Sequence, residues 1–124
     1  MRLLPYFSLL ILLVSCYEVE RNCSDFRTGT FQFEAVSGTE VFSTRIERND
    51  SIEIEYYKQS IDTAEIRWIN DCEYVLRKLN PKSMAEEKAI HIKILTTKDN
   101  SYTFEFNEVG KSGKSRATAT KTAD

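Results

Sequence analysis

The sequence predicts an all-β fold, with eight antiparallel strands in chain order closed up-and-down into a barrel and one short helix between the fifth and sixth. Three observations carry that prediction. From Thr28 onward apolar and polar residues alternate with period two, turn-forming residues interrupt the alternation at hairpin-length intervals, and eight such segments follow one another. Each segment has one apolar face. Eight strands bury those faces and leave no open edge when the sheet curls shut; a two-sheet sandwich is the alternative.

The first segment, "TGTFQFEAV", places Phe31, Phe33 and Ala35 inward against Gln32 and Glu34. "VFSTRIER" alternates Phe42, Thr44 and Ile46 against Ser43, Arg45 and Glu47, and "SIEIEYY" reads as Ile52, Ile54 and Tyr56 inward with Glu53 and Glu55 outward. "AEIRWIN" sets Ala64, Ile66 and Trp68 against Glu65 and Arg67, and "EYVLRKL" offers Tyr74 and Leu76. In "NPKSMAEEKA" Pro81 stops the strand, and the Ser83 and Glu86 capping-box spacing predicts a helix of two turns at most. "IHIKILTT" then turns Ile90, Ile92 and Ile94 inward, and "SYTFEFNE" does the same with Tyr102, Phe104 and Phe106. "SRATATKT" closes the barrel with Ala117 and Ala119. The inward aromatic set, Tyr56 and Trp68 included, is expected to fill most of the interior, and a cavity above ~300 Å³ would instead favour a small ligand.

Residues 1–15 stand apart. Met1-Arg2 is a positive start and Leu3 to Val14 an almost wholly apolar run, too short to span a bilayer and suited to a secretory signal. Leu13-Val14-Ser15-Cys16 resembles the bacterial lipobox. That resemblance implies cleavage before Cys16, a diacylglycerol thioether on its sulfur and an acylated amine; an ordinary signal peptide is the alternative. The organisation expected is a signal at 1–15, lipidated Cys16 and a tether over 16–27, and a barrel over 28–124. With Cys16 committed, Cys23 and Cys72 remain in an exported chain, where paired thiols become a disulfide. A zinc site is the competing reading, but two thiolates and the single His91 make a poor set.

The exported eight-stranded meander opening "TGTF" resembles the lipocalin-like family of small bacterial lipoproteins. Gly29-Thr30-Phe31 echoes that family's Gly-x-Trp opening, with Phe in place of Trp. "CYEVERNCSDF" and "NDCEY" are also similar to short Bacteroidetes-type lipoproteins, some of which carry a DNA topoisomerase IV label. The residues do not support that activity. Removing residues 1–15 leaves 16 basic against 19 acidic side chains, a charge of −3 with no nucleic-acid footprint.

Other motifs point to no chemistry. "GKSGKS" lacks the Walker glycine, since Glu108 stands five positions before Gly113 and Glu105 five before Gly110. His91 lies on an outward face, "NDS" at Asn49 is a turn, and Glu53 and Glu55, about 7 Å apart along one strand, read as solvated. No nucleophile, base and oxyanion site converge, and neither metal nor cofactor is implied.

The expectation is a non-enzymatic binding barrel, lipid-anchored in the bacterial envelope at the outer membrane, that takes a small apolar ligand or an envelope protein. The alternative is a protein-binding inhibitor or assembly factor, similar to membrane-bound inhibitors of c-type lysozyme. Turns of a meander alternate between barrel ends, so Cys23 to Arg27 is expected to strap the end holding Cys72 and the tight turns at Asn49-Asp50, Asn70-Asp71 and Asp99-Asn100. Acidic Asp25, Asp50, Asp71, Glu73 and Asp99 gather there. The far end is expected to carry the longer connections "KQSID", "NPKSMAEEKA" and "GKSGKS", with Lys58, Lys82, Lys88, Lys111 and Lys114 as binding-loop candidates.

Overall fold

A computed structural model of the chain describes residues 21–37 and 39–124, without the side chains of 35–37. The signal segment 1–15, Cys16 and the inward placement of Ala35 lie outside the described residues. Eight strands follow in order: β1 (Gly29–Ser37), β2 (Glu40–Arg48), β3 (Ile52–Tyr57), β4 (Ser60–Asn70), β5 (Glu73–Lys78), β6 (Ile90–Lys98), β7 (Ser101–Glu108) and β8 (Ser115–Ala123). Each pairs antiparallel with the next, and β1 pairs with β8 to close the barrel. Gly29 permits that closure. Its φ is +134°, and a Cβ there would meet Ala123 O and Lys121 Cε at 2.8 Å.

One end of the barrel is plugged. A single 3-10 turn, Cys23–Phe26, crosses it, and Cys23 is disulfide-bonded to Cys72 with a Cα–Cα distance of 5.2 Å. Phe26 turns inward onto Tyr102 and Phe31, with ring centroids 5.1 and 6.5 Å away. Polar contacts hold the strap's margins: Arg27 Nε lies 2.9 Å from Asp50 Oδ1, Lys121 Nζ donates to Asp25 O at 2.9 Å, and the Asn22 N–H to Thr97 Oγ1 at 2.9 Å. The strap expected from turn parity is therefore present, at the end that holds the 49–51, 71–72 and 99–100 turns.

Three expectations need correction. No helix forms over 79–89; this stretch is turns and bends, and the 3-10 turn is the only helical segment among the described residues. Half of the capping box forms, with the Glu86 N–H donating to Ser83 Oγ at 3.3 Å, while Glu86 Oε2 accepts the Lys82 N–H at 2.6 Å in place of that of Ser83. Met84, the natural anchor for an apolar helix face, is 82% exposed, so nothing offsets the cost of nucleating so short a helix. "KQSID" is not a long connection. Tyr57 pairs with Ser60 around a two-residue turn whose Lys58 has φ +53°.

The third correction is the phase of β3. Arg48 pairs with Glu53 and Ile46 with Glu55, so both glutamates face inward with Ile46 and Arg48, and Ile52, Ile54 and Tyr56 face outward. The reason lies in β2. Continuing the alternation of Thr44 and Ile46 puts Arg48 inside, where it is 5% exposed and needs a counter-charge. A one-residue slip of β3 would set an isoleucine there and leave a buried cation bare, at a cost of several kcal/mol. The displaced side chains find partners outside: Arg45 stacks on Tyr56 at 4.2 Å, and the Tyr56 hydroxyl donates to Glu47 Oε2 at 3.1 Å.

Candidate functional site

The interior divides into a packed half and a hollow one. Toward the strap, Phe26, Phe31, Ile94, Tyr74, Tyr102 and Ala119 are fully or almost fully buried. Arg48 spans this layer as its floor. Its Nε donates to Glu53 Oε1 at 2.9 Å, Nη1 to Phe26 O at 2.8 Å and Nη2 to the Tyr102 hydroxyl at 2.9 Å. The guanidinium also lies over the Phe31 and Tyr74 rings, 4.5 and 5.1 Å from their centroids. Burial works against its charge, and Tyr74, Tyr102 and Glu53 outweigh that, so Arg48 is held above its ordinary range. Burial pushes the Tyr74 phenol well up, with Arg48 pulling the other way.

Above this floor the barrel is open. A cavity of about 350 Å³ lies between Arg48, Tyr74 and Tyr102 below and walls formed by Phe33, Ile46, Leu76, Ile90, Ile92, Phe104 and Phe106. The interior is thus less filled than the aromatic count suggests. Tyr56, counted among the fillers, points outward, and β8 contributes only Ala117 and Ala119 opposite Phe104 and Tyr102. A volume of this size, mostly apolar with few polar groups, suits a small ligand. A larger groove of about 570 Å³ on the outer wall is lined by Gln32, Phe33, Glu34 and three threonines.

The polar groups of the cavity collect on one side. Glu53 and Glu55 line it, and toward the mouth the space continues past Asp62, Ala64 and Lys78 beneath Ala85, Glu86 and Lys88 of the 79–89 connection. Lys78 Nζ lies 3.2 Å from Glu86 Oε1 and 3.7 Å from Asp62 Oδ2. Glu86 is held below its usual range by the Lys82 backbone N–H first and the Lys78 ammonium second. Glu55 pairs across the sheet with Asp62, yet its carboxyl makes no hydrogen bond or ion pair among the described residues. Burial first, then the Glu53 and Asp62 charges, hold it above the usual carboxylate range, with Lys78 acting in the opposite direction. Glu53 and Glu55 are therefore not the solvated outward pair that the alternation suggests.

The predicted loop lysines are at the open end, but most are already engaged. Lys111 Nζ lies 2.7 Å and Lys88 Nζ 3.9 Å from Glu108 Oε2, Lys114 Nζ 3.3 Å from Glu105 Oε1, and Lys58 sits over the Phe42 and Tyr57 rings at 5.2 and 5.5 Å. Lys82 has no ion pair among the described residues. Missed by the sequence reading is an apolar rim: Val41, Ile61, Leu79, Met84 and Val109, all exposed, border the connections at this end. Residues flanking four different connections carry no periodic signal that would group them. His91, outward as expected, is hydrogen-bonded, its Nε2 3.0 Å from Glu73 Oε2. No group of three or more His, Cys, Asp or Glu side chains among the described residues is placed to hold a metal ion.

Comparison with protein-family models, with characterised proteins and with solved structures finds no match to this chain.

Proposed function

We propose that the chain is a lipocalin-like binding barrel of a bacterial envelope lipoprotein, related to the small Bacteroidetes-type proteins, which takes a small, largely apolar molecule into its half-open interior and performs no chemistry on it. The observation that carries the reading is the cavity of about 350 Å³ above the Arg48 floor, closed at one end by the disulfide-held strap. A protein stabilised at one end by a plug and left hollow at the other has set volume aside that close packing would otherwise fill.

Lipid on Cys16 orients this reading. The chain is fastened to the plugged end from Arg21 onward, where Nη1 donates to Ile94 O at 3.2 Å. Five residues from Cys16 reach about 18 Å at most, so an anchored barrel holds its plugged end near the membrane and its mouth away. Native mass spectrometry of envelope-purified protein should find a retained small molecule, and Cys16→Ala should move the protein out of the detergent phase. A ligand-free spectrum together with unchanged partitioning removes the reading.

A second reading, docking of an envelope protein on the mouth, is favoured by the exposed apolar rim of Val41, Ile61, Leu79, Met84 and Val109. Such a partner would be captured equally well by a variant whose cavity is blocked.

A further inference from the structure

The class of ligand follows from which charges inside the barrel are already satisfied. Arg48 has its counter-charge in Glu53 at 2.9 Å, and it also donates to Phe26 O and the Tyr102 hydroxyl. Lys78 is shared between Glu86 and Asp62. Glu55 is left over. It lines both the cavity and the space leading to the mouth, directly above Glu53 on the same strand face, beside Asp62 and opposite the apolar wall of Phe104 and Phe106. The ionisable side chains that line the cavity and its approach, Arg48, Lys78, Lys88, Glu53, Glu55, Asp62 and Glu86, carry three positive and four negative charges when ionised, a surplus of one negative.

Resting on the small-ligand reading above, we infer that the cavity takes an amphipathic amine: a cationic nitrogen seated at the Glu55 carboxylate and an aromatic or aliphatic body against Phe33, Leu76, Ile90, Phe104 and Phe106. An ammonium there satisfies the one interior carboxyl without a partner among the described residues and relieves its repulsion with Glu53 and Asp62. A charge-assisted hydrogen bond is among the stronger polar contacts available. An anionic ligand of the same shape meets the opposite field. Its natural partner would be Arg48, whose charge is already matched by Glu53. A neutral ligand gains the apolar wall only. The cavity also bounds size: about 350 Å³ admits a molecule of one or two small rings or a short chain, not a diacyl lipid.

The test uses two probes of matched shape and opposite charge, tryptamine and 3-indolepropionate, titrated calorimetrically into the full disulfide-intact chain at pH 7.5. Tryptamine is expected to bind at least tenfold more tightly. Glu55→Gln should reduce that preference to threefold or less while leaving the circular dichroism spectrum unchanged. Leu76→Trp, which fills the cavity, should abolish binding of both; Ala64→Phe, which narrows the approach from the mouth, serves the same purpose should Leu76→Trp misfold. Equal affinities for the two probes, or a tryptamine preference that survives Glu55→Gln, overturns the amine assignment and leaves the cavity reading standing. Binding that neither blocking variant alters, or no binding of either probe, removes the cavity reading together with it.

Discussion

Arg48 and Glu53 lie five residues apart on either side of the 49–51 turn, yet face each other inside the barrel with Nε and Oε1 2.9 Å apart and both residues 5% exposed. This pair sets the phase of β3 and with it the polarity of the cavity. Arg48→Met should therefore be costly, about 3–5 kcal/mol, because it leaves Glu53 buried without its partner. Adding Glu53→Leu should restore part of that loss. Phe26 O and the Tyr102 hydroxyl would still lack their donor, so recovery stays incomplete. Urea unfolding of the two single variants and the double variant measures the coupling; strict additivity would mean that the pair does not set the strand's phase.

The strap should matter more for stability than its four residues suggest. The Cys23–Cys72 bridge closes a loop of 49 residues, worth about 4 kcal/mol in the chain-entropy account. Cys23→Ser with Cys72→Ser is expected to lower the unfolding free energy by about that amount. Phe26→Ala, which empties the plug against Tyr102 and Phe31, should cost about 3–5 kcal/mol with the disulfide intact. A loss below about 1 kcal/mol in both variants would show that the strap is an ornament on a self-sufficient barrel.

Glu55 makes the empty barrel pH-sensitive in a direction opposite to ordinary carboxylates. Its folded-state affinity for a proton is raised by burial, Glu53 and Asp62, against Lys78, with Arg48 already matched by Glu53. A raised carboxyl favours the fold while protonated, below its unfolded value, and that contribution is lost as pH rises through the folded value. Glu55→Gln should therefore raise the melting temperature of the ligand-free protein at pH 7, with the gain shrinking toward zero near pH 4. A melting temperature lowered at pH 7 would place a hidden partner at Glu55.

The 79–89 connection should depend on Glu86. Its carboxylate accepts the Lys82 N–H and the Lys78 ammonium, and both contacts hold its proton affinity down. A lowered carboxyl contributes order above its unfolded value and loses it as pH falls through the folded value. Glu86→Ala should accelerate amide exchange at Lys82 and its neighbours severalfold while β5 and β6 keep their protection. In the unaltered protein the same acceleration should appear on acidification. Exchange unchanged in the variant would mean that Ser83 alone orders the segment.

Much of this architecture was legible in the sequence because period-two alternation is a local rule and closure is what spares eight such strands an open edge. The eight strands, the inward faces of β1, β2 and β4–β8 and most of the turns follow from residues within a few positions of one another, the strapped end from the parity of successive turns, and the Cys23–Cys72 bridge from the cysteine count. What alternation could not carry was β3, where two equally regular faces, Ile52-Ile54-Tyr56 and Glu53-Glu55, compete for the interior. Hydrophobicity favours the first. The tertiary structure chose the second because Arg48, buried by the phase of the preceding strand, requires a carboxylate opposite it, and a buried charge without its partner costs more than the exposure of two half-covered isoleucines. The hollow upper half is a consequence of that choice. It arises where Tyr56 is outside, Glu55 is inside and β8 supplies alanines, and no stretch of sequence by itself records the space that these three facts leave between them.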